Sequence, residues 1–229
     1  MENYEQQPFR DVAIIEDPEE PKCACLLVLD TSYSMEGEPI AQLNKGLKQF
    51  TIELNNDNLA RKRVEVGIVT FGSTVSSEDF VSARDFRPPT LTANGATPMG
   101  EAVVRALDML EARKAVYKQF GPYYRPWIFL ITDGAPTDSD GNYWREAVRR
   151  VRDGEPPSGK SFLFFSVGVA GADYTYLQAL SKRQPLELKG LKFGSLFTWL
   201  SASLRSVSRS RPEEEVDLPS PMDWGRIPT

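Results

Sequence analysis

Leu27-Val28-Leu29-Asp30-Thr31-Ser32-Tyr33-Ser34-Met35 is an apolar run that stops at an aspartate, with two serines following at alternate positions. A strand ending there projects one carboxylate and two hydroxyls into the loop beyond its carboxyl end. In open α/β sheets that edge is where ligands sit. Two more segments fit the same edge. Ile128-Phe129-Leu130-Ile131-Thr132-Asp133-Gly134 is a second apolar strand that ends in aspartate, and Ala96-Thr97-Pro98-Met99-Gly100 offers a hydroxyl just before a helix.

Strand and helix signals alternate along the rest of the chain. The first strand is expected over about Ala24 to Leu29. A helix follows from about Pro39, since proline is favoured at the first helical position, and Ile40, Leu43, Leu47, Phe50 and Leu54 recur at helical spacing. Val64 to Phe71 is the second strand, and Val75 to Phe86 holds a short antiparallel edge strand. Pro98 opens a helix with the stripe Met99, Ala102, Val103, Ala106, Leu107 and Leu110. Trp127 to Thr132 has hardly a polar residue, as suits a strand buried on both faces. Then come a helix over Tyr143 to Val151, a strand over Ser161 to Val169, a helix over Tyr174 to Ser181, a short strand near Leu186 to Leu188 and a closing helix over Phe193 to Ser206. This pattern predicts an α/β fold: a doubly wound, mainly parallel six-stranded sheet with one short antiparallel edge strand and helices on both faces.

The chain has 229 residues and a net charge of −5, of which 41% are apolar, enough for one full core. Its charge is uneven. Met1 to Pro21 holds seven acids and one base, and Ser208 to Thr229 holds five acids and three bases. The expected organisation is an acidic extension over 1–21, a domain over 22–207, and a Pro-rich acidic tail over 208–229 that buries little. No basic stripe or nucleic-acid motif is visible, so nucleic acid is not an expected partner. The opening Met1-Glu2-Asn3-Tyr4-Glu5 is not a signal peptide, and no apolar run reaches the roughly 18 residues that a membrane span needs. The expectation is a cytoplasmic protein without a membrane partner. Cys23 and Cys25 lie two apart on a strand and face the same side. They read as buried reduced thiols, with a strained bridge or a soft-metal site as alternatives. Histidine is absent, which removes Ser-His and Cys-His catalysis and disfavours zinc.

The ordered trio Asp30-x-Ser32-x-Ser34, Thr97 and Asp133-Gly134 resembles the metal-ion-dependent adhesion site of von Willebrand factor A domains, over roughly Cys23 to Ser206. Taken singly, Ser32 and Ser34 are ordinary turn or cap residues, Asp133 is a turn residue, and Thr97 caps the helix at Pro98. All three pieces in order carry the likeness. The resemblance implies a Mg²⁺ (or Mn²⁺) site in which Ser32 and Ser34 supply direct oxygens and Thr97 a third, direct or through water. Asp30 and Asp133 hold the charge mainly through water. It also implies an open position completed by an Asp or Glu of a partner protein, in a module that is not an enzyme. Hard oxygen ligands suit either ion. Tyr33 stands where the family often has glycine and is a candidate partner contact at the rim. Trp224, an aromatic in a polar tail, is the other. Gly37-Glu38-Pro39-Ile40 looks like the bacterial TerY-type branch. That branch is associated with tellurium resistance and stress response, often beside a kinase and a metal-dependent phosphatase.

Two other readings compete. Asp30, Thr97 and Thr132-Asp133-Gly134 with Asp138 downstream loosely resemble haloacid-dehalogenase phosphatases, in which an aspartate attacks phosphorus and a second one two residues on is the general acid. Here that second position is Ser32, which cannot act as a carboxylic acid, and no convincing helix-borne lysine lies between Thr97 and Asp133. An inert scaffold whose tails do the binding is the third reading. The run Glu213-Glu214-Glu215-Val216-Asp217 is also a candidate to offer a carboxylate to the domain's own metal position or to a neighbour's. Ser206, Ser208 and Ser210, set among arginines, are expected to be accessible to a kinase.

Overall fold

Every residue of the first strand, β1 (Cys23–Asp30), is buried, so the strand must be covered on both faces. The computed structural model describes residues 15–155 and 161–228 and builds a seven-stranded sheet around it. After β1 come α1 (Glu38–Asn55), α2 (Ala60–Arg63), β2 (Val64–Phe71), β3 (Val75–Ser82), α3 (Met99–Tyr117) and β4 (Trp127–Thr132). Then follow α4 (Asn142–Gly154), β5 (Leu163–Gly168), α5 (Tyr174–Leu180), β6 (Leu186–Leu188), α6 (Phe193–Arg209) and β7 (Gly225–Arg226).

Side chains alternate across a strand, and β1 uses both sides. Cys23, Cys25, Leu27 and Leu29 enter one core with Leu43, Leu47, Phe50 and Leu54 of α1 and with Phe193, Phe197, Leu200 and Leu204 of α6. Ala24, Leu26 and Val28 enter the other with Ala102, Val103, Ala106 and Leu110 of α3, Ala147 and Val151 of α4, and Leu177 and Leu180 of α5. The two cysteines are free and buried. Burial pushes the Cys23 thiol up to about 12, helped by the Glu65 carboxylate, and raises that of Cys25 as well.

The strand order is β3-β2-β1-β4-β5-β6-β7. The chain therefore lays β2 on one side of β1, returns, and lays β4 on the other, with both pairs parallel. This reversal opens a crevice beyond the carboxyl ends of β1 and β4, the place where doubly wound sheets bind ligands. β3 is the antiparallel edge expected from the sequence.

Three features lie outside the expectation. α2 is a single turn held by Asp57, whose Oδ1 accepts from the N–H groups of Leu59 (3.0 Å) and Ala60 (2.9 Å), while Oδ2 pairs with Arg209 at 2.6 Å. Glu65 is buried on β2 and takes both arms of Arg113 at 2.7 Å, together with the Tyr117 hydroxyl. The third is β7, which makes the sheet seven-stranded rather than six. The segment after α6 folds back and pairs antiparallel with β6. Trp224 is 1% exposed and packs on Trp199 with ring centroids 5.4 Å apart, and the Trp199 Nε1–H donates to the Pro219 carbonyl at 2.6 Å.

That burial corrects the sequence reading of Trp224. Its indole is sequestered inside the molecule and is not a surface for a partner. An indole buries enough apolar area to order a short polar segment around it. Ser208 is likewise fully buried, so it is not open to a kinase. Of the acidic extension, residues 1–14 lie outside the described residues. Nearer the domain, Glu20 pairs with Arg63 at 2.7 Å and Glu16 pairs with Arg84.

Candidate metal centre

β1 and β4 end side by side, and the site is built on those two ends. Asp30 is fully buried. Its Oδ1 accepts from the Ser32 N–H at 2.8 Å, which folds the loop back over the strand end. Its Oδ2 accepts from the Thr132 hydroxyl at the end of β4, and that hydroxyl accepts from the Gly134 N–H at 3.2 Å. Thr132 therefore joins the two strand ends through one oxygen.

The hydroxyls form a chain. Ser32 Oγ lies 3.0 Å from Ser34 Oγ, and Ser34 Oγ donates to Asp133 Oδ1 at 2.7 Å. Thr97 completes the group. A Cβ placed on Gly134 would stand 3.5 Å from Thr97 Oγ1 and 3.9 Å from Ser34 Oγ. A glycine at this point keeps the space between those two hydroxyls clear of side chain. The loop carrying the serines is clamped from the side: Thr31 N–H donates to the Phe71 carbonyl at 2.7 Å, Asn94 N–H to the Thr31 carbonyl at 2.8 Å, and Tyr33 N–H to the Gly95 carbonyl at 3.0 Å. With its backbone held, the Tyr33 side chain projects outward and is 67% exposed.

All five expected ligand residues thus meet at the β1/β4 crevice. Their charge is uncompensated. Desolvation raises the carboxyl of Asp30 above its ordinary range, against the hydrogen bonds from Ser32 and Thr132, and the neighbouring Asp133 charge raises it further. Desolvation raises Asp133 too, against the hydrogen bond from Ser34. Among the described residues no cationic side chain contributes to either. Among the described residues no three His, Cys, Asp or Glu side chains gather as a metal-binding group; the donor set here is two carboxylates and three hydroxyls. Oxygen-only donors with two under-compensated carboxylates fit a hard divalent cation. A soft metal fits nowhere near, since both cysteines are buried in the core.

Sequence reasoning misses Thr137 altogether, and it places Thr132 and Asp138 in the phosphatase-like set without the supporting roles they have here. In the structure Thr97 N–H donates to Thr137 Oγ1 at 3.2 Å, and the carboxylate of Asp138 accepts from the N–H groups of Gly100 (3.1 Å) and Glu101 (2.9 Å). The side-chain cap of α3 therefore comes from Asp138 and not from Thr97, which corrects the alternative reading of Thr97. The acidic tail does not lead to this site either. The end of α6 lies at the opposite edge of the sheet, where Arg63, just before β2, donates to the Ser208 carbonyl at 2.6 Å and the Tyr124 hydroxyl donates to Ser210 at 2.6 Å. From there the tail runs to the β6 edge, away from β1 and β4.

Solved structures share this architecture. The pilus adhesin SpaC of Lactobacillus rhamnosus GG has a TM-score of 0.61 at 16% identity, over 82% of this chain and 31% of its own. The PilB minor pilin of Streptococcus sanguinis has a TM-score of 0.59 at 13% identity, over 81% and 62%. The ArnB paralog VWA2 of Sulfolobus acidocaldarius has a TM-score of 0.53 at 15% identity, over 80% and 45%. The chain thus spans less than two thirds of the length of each of these, and at such identities the likeness is one of fold. No curated protein matches it. Among the described residues no helix is long and apolar enough to cross a membrane. Residues 26–188, well over half of the chain, match the von Willebrand factor type A domain, and the chain belongs to that family.

Proposed function

We propose that this chain is a divalent-cation-dependent protein-interaction module without enzymatic activity. The observation that carries the reading is the meeting of Asp30, Ser32, Ser34, Thr97 and Asp133 at the β1/β4 crevice with no cationic side chain among the described residues to balance the two carboxylates. Ser32, Ser34 and Thr97 would hold Mg²⁺ or Mn²⁺ through neutral oxygens, with Asp30 and Asp133 supplying the charge. A cation bound by so few carboxylates remains electrophilic, and an Asp or Glu of a partner protein is the ligand it would attract. Tyr33 stands exposed on the same loop and would contact that partner beside the carboxylate.

The phosphatase alternative fits less well. Both oxygens of Asp30 are engaged, one by the Ser32 N–H and one by the Thr132 hydroxyl, in a fully buried position. Asp138 is committed to capping α3. The resemblance of Gly37-Glu38-Pro39-Ile40 to the TerY-type branch supports a cytoplasmic adaptor in a bacterial stress-response or tellurium-resistance system, alongside an associated kinase or phosphatase.

The test is thermal stability in chelator and in rising Mg²⁺ or Mn²⁺, for the wild type and Asp30→Ala. A ligand at ten to a hundred times its dissociation constant stabilises by about 1.4 to 2.7 kcal/mol, a rise of roughly 3 to 10 °C for a domain of this size. A rise in the wild type that is absent in Asp30→Ala supports the reading. Equal curves in chelator and in saturating metal refute it.

A further inference from the structure

The proline at the start of α3 poses a problem that the fold solves elsewhere. Pro98 is the cap residue of the helix and makes no side-chain cap hydrogen bond, because its ring carries no acceptor. The first N–H groups of a helix still need partners. Asp138 supplies them from across the crevice, one oxygen to Gly100 and one to Glu101, the second and third residues of the helix. Its neighbour Thr137 holds the residue on the other side of the proline. Thr137 Oγ1 accepts from the Thr97 N–H at 3.2 Å, and the Thr137 N–H donates to the Thr97 carbonyl at 2.9 Å.

Gly100 makes the arrangement sterically possible. A Cβ there would lie 2.6 Å from the Trp144 nitrogen and 2.9 Å from Asp138 Oδ2, so a larger residue would push the first turn of α4 and the Asp138 carboxylate away. The strap that ends at Asp138 begins at Asp133, itself a member of the site. Thr97 and Asp133 are thus joined through five residues of chain and two pairs of hydrogen bonds.

We infer that Thr137 and Asp138 are positioning residues for Thr97, fixing its hydroxyl relative to Ser34 and Asp133 and thereby setting the affinity of the centre for a divalent cation. This rests on the metal reading above. Outer partners that orient a ligand change metal affinity by about 10- to 100-fold when removed.

Titration calorimetry with MnCl₂ on the full chain tests it, using wild type, Asp30→Ala, Asp138→Ala, Asp138→Asn, Thr97→Val and Thr97→Val/Asp138→Ala. Circular dichroism and the metal-free melting point report folding. The expected result is Mn²⁺ binding weakened about tenfold or more in Asp138→Ala. Only part of that binding should return in Asp138→Asn, which keeps an acceptor for one of the two N–H groups and turns an NH2 donor toward the other. In the Thr97→Val background Asp138→Ala should add less than about threefold, because residues acting through one another are not additive. Should Asp138→Ala fail to fold, Thr137→Val, which leaves the cap in place, is expected to shift affinity in the same direction. Wild-type affinity in a folded Asp138→Ala or Thr137→Val overturns the inference while leaving the metal reading intact, provided Asp30→Ala has lost binding. An equal loss from Asp138→Ala with and without Thr97 also overturns it, since the effect would not pass through Thr97. A folded wild type that binds no Mn²⁺ removes the metal reading and the inference together.

Discussion

Thr132→Val replaces a buried hydroxyl by a methyl group of nearly the same volume, so its effect isolates the hydrogen bonds. Thr132 is fully buried, and its Oγ1 donates to Asp30 Oδ2 and accepts from the Gly134 N–H at 3.2 Å. The first of these is a bond to a carboxylate, worth about 1.5 to 3 kcal/mol, and loss of the second leaves an amide at the crevice with about 1 kcal/mol less. The substitution should therefore destabilise the metal-free domain by roughly 2 to 4 kcal/mol. At about 2 to 4 °C per kcal/mol for a domain of this size, the melting point falls by roughly 4 to 16 °C. Thr132→Ser keeps the hydroxyl and loses one buried methyl, about 1 kcal/mol. Urea unfolding monitored by circular dichroism in chelator measures both variants against the wild type. The Thr132→Val protein should also bind Mn²⁺ about tenfold more weakly, because Asp30 Oδ2 loses the partner that orients it while only Oδ1 stays held, by the Ser32 N–H. The reasoning fails if Thr132→Val lies within about 0.5 kcal/mol of wild type, below any bond to a buried charge. It also fails if Thr132→Ser is no better than Thr132→Val.

The remaining predictions concern the frame around the site. Arg113→Met strands the buried Glu65 carboxylate and should cost about 3 to 5 kcal/mol, whereas Glu65→Met/Arg113→Met should regain most of that; equal losses in denaturant melts would show that the pair is not what matters. The two thiols make stability depend on alkaline pH. The pKa of Cys23 is raised to about 12 by burial and by the Glu65 charge, and that of Cys25 is raised as well, so the folded state holds both protons more tightly than the unfolded chain does. Their contribution is complete below the unfolded pKa near 9 and is lost as pH rises from there through about 12. Melts across that window should show the fall, and it should be smaller in Cys23→Ala/Cys25→Ala, the remainder coming from Tyr117, Tyr124 and Tyr174, whose hydroxyl pKa values burial also raises. At pH 8 in native buffer neither cysteine should react with iodoacetamide until the domain opens; fast native labelling would contradict their burial. Trp224→Ala empties a site against Trp199 and releases β7, with an expected loss of about 3 to 5 kcal/mol and faster amide exchange at Lys189, whose N–H donates to the Trp224 carbonyl. Wild-type stability in that variant would mean that the tail is not packed as described.

Much of this protein is legible from short stretches of chain. The alternation of strand and helix and the buried faces of α1 and α3 follow from apolar spacing, and each occurs where the spacing puts it. The proposed ligand residues are legible for a related reason. Asp30, Ser32 and Ser34 lie within five residues of one strand end, and Asp133 directly follows another, so naming the strands also names the edge they share. The errors have a common origin. Trp224 looks exposed in a polar tail because its partner, Trp199, lies 25 residues earlier on a helix. Thr97 looks like a helix cap because the true cap, Asp138, lies on another loop.

The sequence by itself therefore determined which elements form and which oxygens stand at their ends, because periods of 3.6 and 2 are local properties of a backbone. Only the tertiary structure decided how those ends meet. The return of the chain across β1 brings Thr132 onto Asp30 over a separation of 102 residues, Ser34 onto Asp133 over 99, and Thr137 onto Thr97 over 40. Such contacts depend on the order of strands and the packing of helices, which no short stretch encodes. For that reason the candidate site residues are legible in local sequence, while the residues that hold them in place are not.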